Sequence, residues 1–272
     1  MTDAVVKKLF SNKDLVSDEL HPVGSGAAAI YSAREPGGDK ETNEDAAAIF
    51  HLNGSSAVLV VADGVGGHRS GEKASDLAVK SIRTALKIPP DDKTQLRTNI
   101  ITAFEEANQA VLDLGVGAAT TLAVVEIHAN QIRPYHVGDS EILVVGQRGK
   151  VKLHIVPHSP VGYAVEAGLL DENSAMHHED RHLVSNLIGS TDMHIQVGAP
   201  LTLAKHDTVL LTSDGLADNL HINEIVDIIR KGPLDKIARE LAQKALGRMN
   251  EPLEGDPSKP DDLTFIVFRL GK

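Results

Sequence analysis

The chain has 272 residues, of which 42% are hydrophobic and 24% are charged. These proportions are typical of a globular protein that can bury a core without disulfides. A net charge of −11 argues against a general nucleic-acid binder and against a protein that binds anionic membranes. The absence of cysteine excludes disulfides, thiolate zinc sites and cysteine nucleophiles, and it fits a reducing compartment.

The first 24 residues predict a loosely attached leader. They carry mixed charge and no long apolar run, so we expect no secretory signal there. No stretch of the chain approaches the roughly 20 apolar residues that a membrane helix needs. We therefore expect a cytoplasmic protein with neither a membrane nor a nucleic-acid partner.

The rest of the sequence alternates between groups of apolar strands and pairs of helices. Predicted strands are Ala27–Tyr31, Ala46–His51, Ala57–Ala62, Ala119–Ile127, Gln131–Val137, Ile142–Gly146, Lys152–Val156, Thr208–Thr212 and Thr264–Arg269. Predicted helices are Glu72–Leu86, Gln95–Leu114, His221–Arg230 and Leu234–Arg248. This grouping favours an α+β layered sandwich over a doubly wound parallel sheet. Residues 157–190 have weak periodicity, which predicts an irregular insertion over one end of the sandwich.

Acidic residues stand at the ends of five apolar strands. They are Glu44 and Asp45 in TNEDAAAIF, Asp63 in LVVADGVGG, Asp139 in PYHVGDSEILVV, Asp214 in LLTSDGLAD, and Asp261 and Asp262 in KPDDLTFIVF. Each alone is explained by a turn or a helix cap. If the strand ends converge, however, the carboxylates repel one another unless a cation neutralises them. Oxygen ligands without cysteine select Mg²⁺ or Mn²⁺ over zinc.

The glycine-rich stretch at residues 60–75, VVADGVGGHRSGEKAS, has two interpretations. A glycine-rich turn between a strand and a helix can hold phosphate on backbone amides, but the Walker and dinucleotide patterns are both missing. The alternative is a metal site, in which the bare backbone of Gly64 lets a carbonyl approach the ion. We favour the metal, with phosphate bound through it.

Six motifs in order then identify a family. The series NED, ADGVGGHxxGExAS, GAATTL, VGDS, TSDGLxD and DDLTFIV resembles the metal-dependent (PPM, or type-2C) Ser/Thr protein phosphatases in their compact bacterial form. The resemblance runs from about Gly26 to Leu270. It implies a four-layer α-β-β-α sandwich, two antiparallel sheets flanked by helix pairs, in a single domain over residues 25–272. It also implies that the segment at about 157–190 is the flap beside the active site.

The resemblance further implies two Mn²⁺ or Mg²⁺ ions at one edge of the sandwich, with a third, weaker ion in bacterial members. The residues that match the family's metal site are Glu44, Asp45, Asp63, Gly64, Asp139, Asp214 and Asp261. Asp63 corresponds to the ligand shared by both ions, with the Gly64 carbonyl on one of them. Asp214 and Asp261 correspond to the other ligands of the first ion, and Asp45 with Glu44 to those of the second. Asp139 corresponds to the ligand of the third.

Three positions depart from the family pattern. Lys40 stands where an arginine usually grips the substrate phosphate, and lysine lacks the bidentate fork. Asp262 replaces an asparagine and adds a negative charge near the ions. Glu141 follows GDS where arginine is common. Because none of these changes removes a primary ligand, we expect activity to survive.

Three histidines, one within these motifs and two outside them, have a structural explanation and a functional one. His68 is a candidate general acid, although a structural hydrogen bond is the favoured role in a glycine-rich turn. His178 and His182 have the helical spacing of a zinc pair, but HExxH is not matched, so a solvated face is favoured. Asn186 matches the asparagine at the end of the flap in bacterial relatives.

The expected function is hydrolysis of phosphoserine and phosphothreonine in proteins, by a water that bridges two ions. Phosphorylated proteins would be the substrates, and a Ser/Thr kinase would be the opposing enzyme. No phosphoenzyme is expected, because no Ser, Cys or His nucleophile has a base arranged beside it. A catalytically weak or silent module with the phosphatase fold is one alternative. A metal-dependent nuclease is another, against which the net charge counts.

Overall fold

The computed structural model describes residues 6–11, 14–16, 19–37, 42–52, 54–65, 70–86 and 93–271. Its strands are β1 (Val6–Ser11), β2 (Leu15–Val16), β3 (His21–Val23), β4 (Gly26–Ala33), β5 (Asp45–His51), β6 (Ser56–Asp63), β7 (Leu122–His128), β8 (Gln131–Val137), β9 (Glu141–Val145), β10 (Val151–His154), β11 (Gln196–Val197), β12 (Leu201–Thr202), β13 (Thr208–Thr212) and β14 (Leu263–Leu270). Its helices are α1 (Gly71–Ala85), α2 (Lys93–Leu112), α3 (Pro160–Glu166), α4 (Glu172–Met176), α5 (Asp214–Ala217), α6 (Ile222–Ile229) and α7 (Leu234–Asn250).

The strands form two antiparallel sheets. The first sheet has the order β1-β5-β6-β7-β8-β11, with β12 also paired to β8. The second has the order β10-β9-β13-β14-β4-β2, with β3 also paired to β4. Helices α1 and α2 pack on the first sheet, and α5, α6 and α7 pack on the second. The predicted α-β-β-α sandwich is therefore confirmed.

Three apolar layers hold the sandwich together, one between the sheets and one under each set of helices. In β6, Leu59 and Val61 pack between the sheets, whereas Val58 and Val60 pack under α1 and α2. Because both faces of this strand are covered, its sequence is a continuous apolar run and does not alternate with polar residues. The same double burial explains how a chain with 3% aromatic residues builds its core from Val, Ile, Leu and Ala.

The expectation of a loosely attached leader at residues 1–24 is wrong for the described part of that segment. Strand β1 pairs with β5 over six residues, and β2 and β3 both pair with β4. Val23 is fully buried in the layer between the sheets. The segment therefore contributes strands to both sheets.

The predicted strands and helices that lie in the core are confirmed within a few residues. The largest shift is at β7, which begins at Leu122 and not at Ala119, since Thr120 forms isolated bridges with Gly64 and Ile188 instead. The 157–190 segment contains the short helices α3 and α4 and no strand. No helix among the described residues is both long and apolar enough to span a membrane.

Candidate active site

Two aspartates meet at the end of the hairpin formed by β5 and β6. Strand β5 begins at Asp45 and β6 ends at Asp63, and the two residues are directly opposite each other in the antiparallel register. Burial raises the pKa of Asp63 well above the usual aspartate range. The charges that raise it further belong to Asp45, Asp214, Asp261 and Asp139. The strand ends that were predicted to converge thus do so.

The second sheet contributes its aspartates from the adjoining ends of β13 and β14. These strands pair through Thr212 and Phe265, so Asp214 follows one strand at the place where Asp261 precedes the other. The backbone N–H of Asp214 lies 3.5 Å from Oδ2 of Asp63 in the first sheet. A Cβ at Gly215 would lie 1.9 Å from the carbonyl oxygen of Asp262. Only glycine therefore lets α5 begin so close to β14.

Asp45 has one carboxylate oxygen without a partner. Its Oδ2 accepts a hydrogen bond from the Ser213 hydroxyl at 2.8 Å, whereas its buried Oδ1 has no hydrogen-bond partner among the described residues. Burial raises the pKa of Asp45 well above its usual range, and the charge of Asp262 raises it further. An unpaired buried carboxylate oxygen is costly unless a proton or a cation meets it.

Gly64 brings the end of β6 against the start of α1. Its N–H donates to the Glu44 carbonyl at 3.1 Å. A Cβ at Gly64 would lie 2.5 Å from the backbone of Gly71 and 2.7 Å from the carbonyl oxygen of Glu44. A Cβ at Gly71 would in turn lie 2.9 Å from Oε1 of Glu44. At the ADG sequence, the backbone of Gly64 thus lies against the backbone of Glu44 and of Gly71.

Asp139 and Asp218 extend the cluster on the side of α5. Burial raises the pKa of Asp139 to about 8, with further contributions from the charges of Asp214 and Asp218. Burial also raises the pKa of Asp218 to about 6, again with the charge of Asp214. Sequence reasoning gave Asp218 no role, although its position four residues after Asp214 places it one helical turn further along the chain.

A lysine lies among the carboxylates, which sequence reasoning also missed. The Lys259 ammonium contacts Asp214, Asp218 at 3.0 Å and Asp261 at 3.2 Å. Burial alone would lower the pKa of Lys259, but the three negative charges outweigh burial and raise it above the usual lysine value. Asn219 fixes this segment, because its Oδ1 accepts from the Lys259 N–H and its Nδ2 donates to the Lys259 carbonyl, both at 2.8 Å.

Three of the carboxylates, those of Asp214, Asp218 and Asp261, surround this ammonium. Within the described part of the chain, no group of three or more His, Asp or Glu side chains has an arrangement that could hold a metal ion as it stands. The donor set nevertheless fits a hard cation in three respects. All its candidate ligands are oxygens, Oδ1 of Asp45 has no hydrogen-bond partner in the described part of the chain, and a positive charge already lies between three of the aspartates.

Asp262 has a structural role that differs from its expected one. Its Oδ1 accepts the Glu35 N–H at 2.8 Å and its Oδ2 accepts the Glu44 N–H at 2.6 Å. An asparagine has a single side-chain oxygen, so only the aspartate can accept the two amides on separate oxygens. The carboxylate expected to add charge beside the ions thus also holds the connection between β4 and β5 in place.

The flap segment is tied to the cluster through His158. The Gly138 N–H donates to Nδ1 of His158 at 3.1 Å, and the Asn186 amide nitrogen lies 2.9 Å from the same atom. Because both neighbours are donors, Nδ1 accepts, and the ring donates from Nε2 to Gln196 at 3.0 Å. Burial lowers the pKa of His158, which keeps the ring neutral. His158, near the start of the segment, is therefore bonded to the turn before Asp139, and Asn186, near its end, is bonded to His158.

The remaining predicted residues either lie outside the described part of the chain or lie elsewhere within it. Lys40 and His68 lie outside the described residues. Helix α4 ends at Met176, so His178 and His182 are not on a helix and their spacing does not make a zinc pair. Glu141 follows Asp139 by two residues and accepts a hydrogen bond from His154 at 2.7 Å.

Comparisons with known proteins agree with this architecture. The sequence model described as protein phosphatase 2C matches residues 38–251. Protein phosphatase PhpP of Streptococcus pneumoniae is 32% identical over 200 residues, which cover 71% of this chain and 80% of that protein. The crystal structure of a serine/threonine phosphatase from Staphylococcus aureus superposes with a TM-score of 0.79 at 24% identity, covering 90% of this chain and 95% of that one.

A second solved structure is the catalytic domain of the serine/threonine protein phosphatase PstP, described in complex with two manganese ions. It superposes with a TM-score of 0.69 at 23% identity and covers 90% of this chain and 98% of that one. The two-sheet sandwich is therefore that of the PPM-type phosphatases. This chain belongs to the protein phosphatase 2C family.

The close approach at Gly64 gives a stability prediction. Gly64→Ala is expected to lower the free energy of unfolding by about 1–3 kcal/mol, because the added methyl group meets backbone atoms that must move apart. Gly247→Ala in helix α7 is the matched control. Apart from nearby backbone of the same helix, no described atom lies within 4 Å of its added methyl group. The control should gain roughly 0.5–1 kcal/mol from helix propensity. Urea unfolding measures both, and equal stability of the two variants would contradict the packing described here.

The raised pKa of Asp139 gives a pH prediction for the metal-free protein. A carboxyl whose folded pKa is about 8 binds its proton more tightly when folded. Its contribution to stability is therefore complete below the unfolded pKa of about 3.9 and is lost as pH rises through about 8. In EDTA, the melting temperature of Asp139→Asn should fall less than that of the natural chain between pH 5 and pH 8. Parallel pH profiles of the melting temperature for the two proteins would show that the pKa of Asp139 is not raised.

Proposed function

We propose that this chain hydrolyses phosphoserine and phosphothreonine in proteins with the help of divalent metal ions. The observation that carries the proposal is the meeting of Asp45 and Asp63 from the first sheet with Asp214 from the second. Membership of the protein phosphatase 2C family supports the same reaction. The comparisons give no support to the alternative of a catalytically silent module.

The proposed ions are Mn²⁺ or Mg²⁺. Their proposed ligands combine buried carboxylates with one backbone carbonyl, from Glu44, Asp45, Asp63, Gly64, Asp214 and Asp261, with Asp139 beside a third ion. When bound, such ions lower the pKa of the attacking water and neutralise charge on the phosphoryl oxygens. The PstP catalytic domain is described with two manganese ions, which favours two principal ions here as well.

Hydrogen bonds from other groups of this chain position the proposed ligands. The Ser213 hydroxyl donates to Asp45 and its oxygen accepts the Thr264 N–H at 3.1 Å, so it couples the two sheets at the site. Asp262 holds the backbone of Glu44. The cluster itself would repel a phosphate, so an anionic substrate needs the ions in order to bind. The proposed substrates are phosphorylated proteins in the cytoplasm, and the proposed opposing enzyme is a Ser/Thr kinase.

Replacing a proposed ligand tests the reaction directly. Asp63→Asn and Asp214→Asn should each lower kcat/KM for a phosphothreonine peptide with Mn²⁺ by at least about 100-fold, because a neutral amide is a weak ligand for a hard cation. Glu106→Gln, an exposed carboxylate on α2, is the control for loss of one charge. Calorimetry should show weakened Mn²⁺ binding in the two aspartate variants. A natural chain that cleaves neither peptide nor p-nitrophenyl phosphate, indistinguishable from Asp63→Asn, would refute the function.

Lys259 is proposed to act as a tethered cation that competes with the ions for Asp214 and Asp261. Its ammonium offsets the repulsion among three aspartates when no metal is bound. If Asp214 and Asp261 held a metal ion, Asp218 would remain as the partner for the lysine. The ammonium would then share with the bound ions the role of balancing the acidic cluster.

Lys259→Met, which retains the aliphatic stem, tests this role. Without metal at pH 7.5 the variant should be less stable by about 1–3 kcal/mol, because three carboxylates lose their counter-charge. Its Mn²⁺ affinity should be higher than that of the natural chain, as calorimetry measures, because no ammonium has to be displaced. Lys80→Met, which removes a surface pair with Asp76 on α1, is the control and should change neither. Unchanged Mn²⁺ affinity in Lys259→Met would refute competition.

A further inference from the structure

A groove of about 520 Å³ opens beside the aspartate cluster, between α3 and α4 on one side and α5 and α6 on the other. One end of the groove is formed by Asp139, Asp214 and Asp218. A phosphorylated side chain held at the cluster would therefore place its neighbouring residues in this groove. Any role of the groove in substrate choice thus rests on the proposed function.

The lining of the groove combines an apolar floor with acidic residues. Aliphatic side chains contribute the floor, among them Ile155, Val161, Val165, Ile222 and Ile225. Seven carboxylate side chains line the groove and only one guanidinium does, that of Arg181. This guanidinium donates to the backbone carbonyls of Met176 and Ser258. The Arg181 charge is therefore fixed at one place in the groove. The other charged side chains that line the groove, apart from its histidines, are carboxylates.

Four of the seven acidic side chains lie away from the aspartate cluster, and they are Glu141, Glu166, Asp171 and Glu172. Asp171 caps α4 by accepting hydrogen bonds from the Ser174 N–H and hydroxyl. Among the described residues, Glu141 accepts a side-chain hydrogen bond only from His154, through Oε2. Glu172 contributes its charge to the same histidine, and Glu166 is exposed at the end of α3.

We infer that the groove receives the residues next to the phosphorylated side chain and that it favours an arginine or lysine there. An aliphatic floor with acids at its edge matches a side chain whose stem is apolar and whose end is cationic. An acidic neighbour is disfavoured by the same carboxylates. The groove thus defines a substrate class, phosphoserine or phosphothreonine flanked by basic residues.

The test compares phosphothreonine peptides that differ at one position. In an alanine-rich peptide, each position from three residues before to three residues after the phosphothreonine is made Arg, Ala or Glu in turn, and kcat/KM is measured with saturating Mn²⁺. At one or more positions Arg should exceed Ala by about three- to tenfold, the range of a partly exposed ion pair. Glu at the same position should be slower than Ala.

Variants then locate the preference. In the double variant Glu141→Gln with Glu172→Gln, the Arg-to-Ala ratio should fall to about one, because the two acids beside His154 become neutral. The ratio is taken within each variant, so a general loss of activity cancels. Glu106→Gln, on a helix that packs on the other sheet, should keep the ratio of the natural chain.

Each remaining outcome contradicts a particular statement. Equal kcat/KM for the Arg, Ala and Glu peptides at every position overturns the inference alone, because hydrolysis still occurs. A preference that persists in the double variant shows that Glu141 and Glu172 do not carry it, and this also overturns the inference. Failure to cleave any peptide or p-nitrophenyl phosphate overturns the proposed function and, with it, the substrate class.

Discussion

Repulsion among buried carboxylates is the constraint on which the rest of this structure depends. Asp45, Asp63, Asp139, Asp214 and Asp261 belong to distant parts of the sequence, yet they share one edge of the sandwich. Bringing them together costs free energy unless protons, hydrogen bonds or cations offset the charge. In the metal-free protein, raised pKa values retain protons and Lys259 adds a positive charge. The same unbalanced charge is what would give a divalent cation its affinity.

The site is held by backbone contacts more than by side-chain packing. Gly64 and Gly215 each follow a proposed ligand, and at both positions a Cβ would meet the backbone of another segment within 2.5 Å. Ser213 adds a hydroxyl that joins Asp45 of the first sheet to Thr264 of the second. Such short contacts fix where the carboxylates lie to within a fraction of an ångström. A cluster of like charges requires this rigidity, because loose side chains would simply move apart.

The sequence predicted the layered fold because its strands are buried on both faces and read as uninterrupted apolar runs. It predicted the aspartates because each lies at the end of such a run. It did not predict β1, β2 and β3, since these strands are short or lie at a sheet edge and lack that pattern. Nor did it predict the contacts of Lys259 or Asp262. Those contacts depend on chain separations of up to 45 residues for the lysine and 227 for the aspartate, which no local pattern encodes.

The net charge of the chain bears on two different questions, namely how a phosphate group is bound and how one phosphoprotein is distinguished from another. A protein with a net charge of −11 repels phosphoproteins at long range, so attraction for the phosphate must come from the ions at the cluster. Phosphate is the same group in every substrate, and binding it does not distinguish one phosphoprotein from another. Discrimination therefore falls to the residues around it, and in this chain the surface they would meet is apolar and acidic. Because the sign of that surface comes from side chains such as Glu141 and Glu172, it is a property of this sequence and not of its fold.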